Sequence, residues 1–276
     1  MIGGWHFGRL AAVTVLAAPF LVPIMASGQG IDHDGWEALL QRHVVETGNG
    51  ASTAVDYAGM ASDRLALQRY LGQTAAVDRG EFRQWSESDQ LAFLINVYNA
   101  QTVELILTAW PELESIRDLG GLLESPWEIE FFELLGKRRS LDELEHEMIR
   151  GHYDEPRIHF AVNCASIGCP ALSREAYEGG RLDRQLEAAT RRFLGDRSRN
   201  RLEGGVLYAS PIFDWYRADF ESGFRGAESL AGFLSLYGDS LGLAASEQRA
   251  LRQGDIDIRY LAYDWQLNST AGGDHP

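Results

Sequence analysis

The stretch SESDQLAFLINVYNAQTVELILTAWP, residues 86–111, predicts the helix around which the rest of the chain is organised. Ser86 and Asp89 resemble a capping box at its start, and Trp110-Pro111 stops the helical pattern at its end. Between residues 91 and 107 the side chains are apolar almost all round the helix. Because that pattern is typical of a helix buried on every side, we expect it at the centre of the core.

Three amides, Asn96, Asn99 and Gln101, interrupt this apolar helix. A buried amide without a partner costs about 1–3 kcal/mol, so each of them needs a hydrogen bond. They can bond neighbouring backbone groups or one another. Alternatively, Asn99 orients a site group, as an amide orients the imidazole in thiol proteases.

The stretch RIHFAVNCASIGCP, residues 157–170, contains both cysteines of the chain. Its β-branched and aromatic residues predict a buried strand over 157–164, followed by small residues. In a regular strand, His159 and Cys164 lie on opposite faces. A Cys–His pair therefore requires that the strand bulge or end early, or that His146 take the place of His159.

A second capping box opens a predicted helix over 140–150. Glu145 falls inside its apolar stripe, and a carboxylate that points to a core needs a cation or hydrogen-bond donors. Arg157 and His159 are candidates for that partner, together with any other arginine in a structural Glu–Arg pair. His146 lies off the stripe, about 100° round the helix, where it is either a flank residue or a second site imidazole.

We predict an α+β fold, a helix-rich single domain over 29–268 around a small, mainly antiparallel sheet. The strands are expected at about 127–135, 157–164, 201–209 and 256–267, without regular alternation with helices. Gly204-Gly205 at the middle of 201–209 makes that segment hairpin-like. Aromatic residues around Asp214 have the spacing of core residues. Neither G-x-G-x-x-G nor a P-loop is present, so the sequence supports no nucleotide cofactor.

The charge and the two ends of the chain bear on its surroundings. The formal net charge of −15 disfavours nucleic acid and anionic membranes as partners. Arg9, the apolar stretch from Leu10 to Met25 and the small residues up to Gly28 predict a signal peptide over 1–28. We therefore expect an exported protein, periplasmic or secreted, without a stable membrane anchor after cleavage. The polar residues 269–276 are expected to form a flexible tail.

Four blocks, taken together, resemble the domain of unknown function 547 family and occur in that family's order. They are LAFLINVYNAQT at 91–102, SLDELEHEMIR at 140–150, RIHFAVNCASIGCPAL at 157–172 and YDWQLN at 263–268. The resemblance runs from about Trp36 to Asn268. It implies an exported bacterial single-domain protein, but no established activity, substrate or cofactor. The residues that match the family's recurrent polar positions are Asn96, Asn99, Glu145, His146, His159, Cys164, Cys169 and Asp264.

The preferred functional hypothesis is a binding or envelope domain, with a small-molecule or peptide ligand, clipped by a Cys164–Cys169 disulfide. Because the ring is small, its entropic contribution is modest, roughly 2 kcal/mol. Another hypothesis is a Zn²⁺ site built from both cysteines, His159 and either His146 or Glu145. The C-x4-C spacing differs from the C-x-x-C spacing that favours thiol–disulfide exchange.

The alternative hypothesis is a thiol enzyme that carries out hydrolysis or acyl transfer on a peptide or amide. Cys164 would be the nucleophile as its thiolate, and His159 or His146 the base that accepts its proton. Glu145 or Asn99 would then fix the imidazole. The geometry around Cys164 decides between the enzyme and the clip.

Overall fold

The computed structural model describes residues 1–4, 30–121 and 125–270. Apart from its first four residues, the predicted signal peptide lies outside the described residues, and so do residues 271–276 of the predicted tail. Before that point, Ser269 and Thr270 lie against Val55, and the Thr270 N–H donates to the Val55 carbonyl over 3.0 Å. Among the described helices, none combines the length and the apolar character needed to span a bilayer.

Helices make up most of the regular structure, so the helix-rich α+β class is confirmed. The α-helices are α1 (Asp34–His43), α2 (Tyr57–Ser62), α3 (Arg64–Ala75), α4 (Arg79–Phe82), α5 (Glu87–Leu107), α6 (Leu182–Gly195), α7 (Ile212–Trp215), α8 (Arg217–Phe220), α9 (Leu230–Leu236) and α10 (Ala245–Gln253). A π-helix spans Glu143–Ile149. Short 3-10 helices occur at Gly48–Gly50, Ile116–Leu119, Pro156–Phe160, Gly179–Arg181 and Phe224–Gly226.

The central helix predicted from residues 86–111 is α5. The Ser86 hydroxyl caps it by accepting a hydrogen bond of 3.1 Å from the backbone N–H of Asp89. The residues of α5 from 91 to 107 are buried except Glu104. Its apolar side chains form the first core together with residues of α1 and α3, such as Trp36 and Tyr70.

The strands within the described residues form three small sheets rather than one. Their bounds are β1 (Val44–Thr47), β2 (Ser52–Val55), β3 (Phe132–Leu134), β4 (Lys137–Arg139), β5 (Arg201–Glu203), β6 (Val206–Ala209) and β7 (Ile258–Tyr260). The pairs β1–β2, β3–β4 and β5–β6 are antiparallel, whereas β7 joins β6 in parallel. The hairpin predicted over 201–209 is confirmed, and the predicted strands 127–135 and 256–267 shorten to β3 and β7. The β1–β2 hairpin was not predicted.

The strand predicted over 157–164 is wrong, because this segment begins with the 3-10 helix Pro156–Phe160. Pro156 occupies the start of that helix, and the Glu155 carboxylate accepts a hydrogen bond from the next N–H. The apolar residues are buried on both sides of the segment: Ile158 packs into the first core and Phe160 into a second one. A short run buried on all sides has no periodicity by which a strand can be distinguished from a helix.

The helix predicted over 140–150 is present, but its main part is the π-helix. The Ser140 hydroxyl accepts from the Glu143 N–H over 3.1 Å, as a capping residue does. The Arg150 N–H donates to the Glu145 carbonyl over 2.9 Å, five residues back, which is the π-helical pattern. This π-helical turn lies beside the candidate site. π-Helical turns are frequent at the functional sites of proteins.

The second core is rich in phenylalanine and supports the other wall of the candidate site. Phe220 of α8 contacts Phe213 of α7 and Phe233 of α9, with ring centroids 5.0 and 4.9 Å apart. Phe160 packs on the same Phe220 ring at 5.8 Å. Because α7 and α8 are anchored by this cluster, the polar residues next to these phenylalanines are held in fixed positions.

Candidate functional site

Most of the side chains singled out in the sequence meet in one cavity of about 190 Å³, which we call the aromatic pocket. Its described lining residues are Tyr98, Ser125, Trp127, Asp142, Glu145, His146, His159, Val162, Cys164, Cys169, Pro170, Ile212, Trp215, Tyr216, Tyr263 and Trp265. The predicted candidates Glu145, His146, His159, Cys164 and Cys169 are therefore brought together. Asn99 is not among these lining residues.

Cys164 and Cys169 form a disulfide in the wall of the aromatic pocket, with their Cα atoms 6.2 Å apart. The Cys164 N–H donates to Cys169 Sγ over 3.0 Å, and the Tyr263 hydroxyl lies 3.2 Å from each sulfur. Ala165 adopts a left-handed φ of 62° and turns the chain directly after Cys164. No free cysteine remains. The structure thus joins the two cysteines that the disulfide hypothesis pairs.

Asn99 binds the backbone before the disulfide loop rather than an imidazole. Its Nδ2 donates to the Ala161 carbonyl over 2.9 Å, and its Oδ1 accepts from the Asn163 N–H over 2.8 Å. Asn163 continues the support by donating to the Pro170 carbonyl over 2.7 Å. The two amides therefore position the loop. Asn99 bonds main-chain groups, the first of the two roles that the sequence left open, and not an imidazole.

His159 is held by a carboxylate that the sequence did not suggest. Its Nε2 lies 2.7 Å from Asp219, its ring stacks on Tyr216 at 3.9 Å, and its side chain is 1% exposed. Burial lowers the pKa of His159, although the hydrogen bond to Asp219 opposes this shift. A carboxylate only accepts hydrogen bonds, so the neutral imidazole carries its proton on Nε2. Its buried Nδ1 is an acceptor and has no hydrogen-bond partner among the described residues.

Asp219 joins His159 to Arg150. Its carboxylate accepts from Arg150 Nε over 2.6 Å and from Arg150 Nη2 over 3.0 Å. Burial opposes ionisation, but the hydrogen bonds from His159 and Arg150 hold the pKa of Asp219 well below its usual range. The Arg150 guanidinium also lies 4.9 Å from the ring centre of Tyr216. Asp219 therefore fixes the tautomer and the position of the imidazole.

Glu145 is buried, with 6% of its surface exposed, and it interacts with two phenols. Burial, and then the charge of Glu145 and a hydrogen bond to it, raise the pKa of Tyr98 and Tyr216. The expected pairing of Glu145 with Arg157 is wrong, because Arg157 pairs with carboxylates elsewhere. His159 interacts with Glu145 only through its charge and bonds Asp219 instead. Hydroxyl donors thus supply the partners that sequence reasoning sought among cations.

His146 lies at the edge of the pocket, with 38% of its side chain exposed. Its Nδ1 is 2.5 Å from Arg150 Nη1, and its Nε2 is 3.5 Å from an Asp142 carboxylate oxygen. Its ring stacks on Tyr216 at 6.2 Å, on the same phenol that His159 contacts. Both imidazoles are therefore site residues by position, but only His159 is buried.

The outer wall is a group of aromatic rings from distant parts of the chain. Trp265 contacts Trp127 at 5.8 Å, Trp215 at 5.7 Å and Tyr263 at 4.5 Å. The Arg117 guanidinium lies 5.3 Å from the Trp265 ring centre. The sequence predicted Trp215 and Tyr216 as core, yet both line the pocket and Trp215 is 48% exposed. For Tyr263 and Trp265, the family-like block YDWQLN at 263–268 was the feature of the sequence that could have indicated a place in the site.

Two other sequence expectations concern metal ligands and Asp264. Within the ranges that the structure describes, no group of three or more His, Cys, Asp or Glu side chains is placed to hold a metal ion. The disulfide also removes both thiolates of the zinc hypothesis. Asp264 is exposed; its carboxylate accepts from the Gln266 N–H over 2.9 Å, and its carbonyl accepts from the Gly168 N–H over 2.9 Å. It shapes the segment that carries Tyr263 and Trp265.

Comparison with known proteins gives one family. Residues 82–194 match the family model described as "Protein of unknown function, DUF547". No curated protein and no solved structure matches the chain. The matched region includes Glu145, His146, His159 and both cysteines, whereas Asp219 lies beyond it. By this match, residues 82–194 belong to the DUF547 family, whose function is unknown.

Proposed function

We propose that the aromatic pocket binds a small organic cation, an ammonium or amine, and that the protein acts as a binding domain. The observation that carries this proposal is the composition of the pocket wall. Six aromatic side chains and the carboxylates of Asp142 and Glu145 line it, and no arginine or lysine occurs among its described lining residues. The faces of aromatic rings attract cations, and the attraction grows when the cation is desolvated.

The polar groups of the pocket favour the same class of ligand. Glu145 is a buried acceptor, and His159 Nδ1 is a buried acceptor that no group in the described part of the chain bonds. An amine N–H would bond both kinds of acceptor, whereas an anionic ligand would meet carboxylates and unshared lone pairs. Arg117 over Trp265 shows that the outer rings accept a cationic group at their face. The cavity of about 190 Å³ limits the ligand to a small head group.

Titration with tetramethylammonium chloride, followed by tryptophan fluorescence and calorimetry, tests the proposal. The Glu145→Gln variant keeps the side-chain size but removes the charge, so we expect about tenfold weaker binding, equivalent to roughly 1.4 kcal/mol. Glu147→Gln is the matched control, because Glu147 is exposed on the same helix and does not line this pocket. Equal binding of tetramethylammonium and neutral tert-butanol, or equal loss in the two variants, would contradict a cation site.

A second candidate is the thiol enzyme, favoured by His159, which lines the same pocket as Cys164 and whose Nδ1 has no partner within the ranges that the structure describes. The activity would require a dithiol that reduces the disulfide, delivering two electrons and two protons to the two sulfurs. The Cys164 thiol would then pass its proton to His159, with Asp219 stabilising the imidazolium. The resulting thiolate would attack a peptide or amide carbonyl; the C–N bond would break, the amine would leave with the proton from His159, and water would hydrolyse the thioester.

Iodoacetamide labelling of the reduced protein tests this second candidate. We expect Cys164 to be alkylated about tenfold faster than Cys169 at pH 7, because the base lowers the thiol pKa. Asp219→Asn should slow Cys164 alkylation, whereas Asp214→Asn, an exposed carboxylate on α7, should not. Equal alkylation of both cysteines in the folded, reduced protein would exclude a paired thiolate.

We also propose that the domain acts after export, in the periplasm or outside the cell. The support is the signal-peptide pattern over 1–28 and the use of both cysteines in a disulfide. Amino-terminal sequencing of protein from the producing bacterium tests this: a mature chain that begins near residue 29 is expected. A chain retained in the cytoplasm with two free thiols would contradict it.

A further inference from the structure

A second cavity, of about 580 Å³, lies against another face of the π-helix, and we call it the basic pocket. Its described lining residues are Arg79, Phe82, Arg83, Glu87, Gln90, Leu94, Leu135, Lys137, Arg139, Glu143, Glu147, Met148, His152 and Tyr153. None of these residues lines the aromatic pocket. The cavity volume is in the range of sites that hold small organic ligands.

Arg139 is the central feature of the basic pocket. Only 7% of its side chain is exposed, and its Nη1 forms an ion pair with Glu143. Its Nε is buried and has no hydrogen-bond partner among the described residues. Leaving a buried N–H unbonded is unfavourable, so the guanidinium that lines this cavity has unused hydrogen-bonding capacity.

The charges around Arg139 favour an anion as that acceptor. Arg79, Arg83 and Lys137, which is the only lysine of the chain, form no ion pair within the described residues. Burial, and then the positive charge of Arg79, lower the pKa of Arg139, so cationic groups are crowded here. Among the described lining residues, Glu87, Glu143 and Glu147 carry one charge fewer than the four cations of Arg79, Arg83, Lys137 and Arg139. A cavity with excess positive charge is unusual in a chain whose net charge is −15.

The remaining lining groups are largely apolar. Leu94, Leu135 and Tyr153 are buried, and Phe82 and Met148 are packed against the first core. An inorganic anion would leave these side chains without a partner in the cavity. A ligand with an apolar body would cover them and remove their exposed surface from water.

We propose that the basic pocket binds an organic monoanion, a carboxylate attached to an apolar chain. The carboxylate accepts a hydrogen bond from the Arg139 guanidinium and balances the single excess positive charge of the described lining. The chain lies on the apolar side chains from α4, α5 and the π-helix. This site is independent of the cation site proposed for the aromatic pocket.

Calorimetric titration of the full chain with sodium octanoate tests the proposal, with heptan-1-ol as the neutral probe and inorganic phosphate as the head-group probe. We expect saturable octanoate binding that is at least tenfold tighter than binding of either probe. Arg139→Gln should weaken octanoate binding about tenfold, and Arg79→Gln about fivefold, because each removes a positive charge at the site. Arg138→Gln should change it less than twofold, since Arg138 is exposed, does not line the pocket and bonds the Glu130 carbonyl.

Circular dichroism of each variant shows whether it is folded. If Arg139→Gln does not fold, Arg79→Gln and Lys137→Gln decide the question, because both side chains are exposed. Absence of saturable octanoate binding would overturn the proposal. Heptan-1-ol or phosphate binding as tight as that of octanoate, or an equal loss in Arg138→Gln, would do the same.

Discussion

The aromatic pocket and the basic pocket share the π-helix Glu143–Ile149, yet they favour ligands of opposite charge. Glu145 and His146 face the aromatic pocket, whereas Glu143 and Glu147 face the basic pocket. Glu143 is paired with Arg139, and Glu145 interacts with phenols that carry no charge. Glutamates of one helix therefore line two pockets of opposite charge. Other elements place a cation beside Glu143 but only neutral phenols beside Glu145.

The two pockets also draw on different parts of the chain. The basic pocket uses residues 79 to 153, whereas the aromatic pocket uses residues 98 to 265. Nearly all of the basic pocket lies inside the matched family region 82–194, but Trp215, Tyr216, Tyr263 and Trp265 lie beyond it. The wall that makes the aromatic pocket attractive to cations thus depends on the packing of distant segments.

The largest effect is expected from removing the carboxylate partner in each pocket. Asp219→Ala leaves His159 and Arg150 without three hydrogen bonds, so we expect the free energy of unfolding to fall by about 3 kcal/mol. Glu143→Ala removes a single ion pair of Arg139, which still has Glu147 and Glu130 nearby, and should lower it by about 1–2 kcal/mol. Urea unfolding measures both. If Glu143→Ala lowered the free energy of unfolding as much as Asp219→Ala or more, Asp219 would not contribute more to stability than Glu143 does.

A smaller and more selective effect is expected from removing the disulfide. The Cys164→Ser, Cys169→Ser double variant should lower the free energy of unfolding by roughly 2 kcal/mol, according to the loop-closure model. Because the disulfide lines only the aromatic pocket, tetramethylammonium binding should weaken and octanoate binding should stay unchanged. Parallel titrations of the two ligands measure this. Weaker binding of both tetramethylammonium and octanoate would mean that the two pockets are not independent.

The parts of the fold that were predictable are those specified by local signals. The Ser86 cap and the continuous apolar run identified α5, and Gly204-Gly205 identified the β5–β6 turn. The opposite case is Pro156–Phe160, where burial from two sides removed the periodicity that separates strand from helix. Local patterns therefore predicted where helices and strands occur more reliably than they predicted which of the two a segment forms.

Within the site, the sequence predicted the residues near the disulfide but not their partners. Glu145 was singled out because a carboxylate fell on an apolar stripe, and the structure does bury it. Its phenol partners Tyr98 and Tyr216 looked like ordinary core aromatics. The sequence did not indicate a role for Asp219. Its pairing with His159 depends on how two distant segments pack, which the local pattern around Asp219 does not show. Arg79 likewise meets Arg139 only through the fold.

The smallest expected effect is a pH dependence that distinguishes the imidazoles of the two pockets. Burial lowers the pKa of His159 below its unfolded value of 6.5, so below that pH the unfolded chain binds a proton that the folded chain does not. The free energy of unfolding should therefore decrease as the pH falls below 6.5, by at most about 1.4 kcal/mol per unit from this group. His159→Gln should flatten that part of the profile in urea unfolding between pH 7 and 5. His152→Gln, which removes an exposed imidazole from the basic pocket, is the control. If His159→Gln left the slope of unfolding free energy against pH unchanged, His159 would be protonated in the folded protein. Its Nδ1 would then be a hydrogen-bond donor and could not accept a bond from an amine.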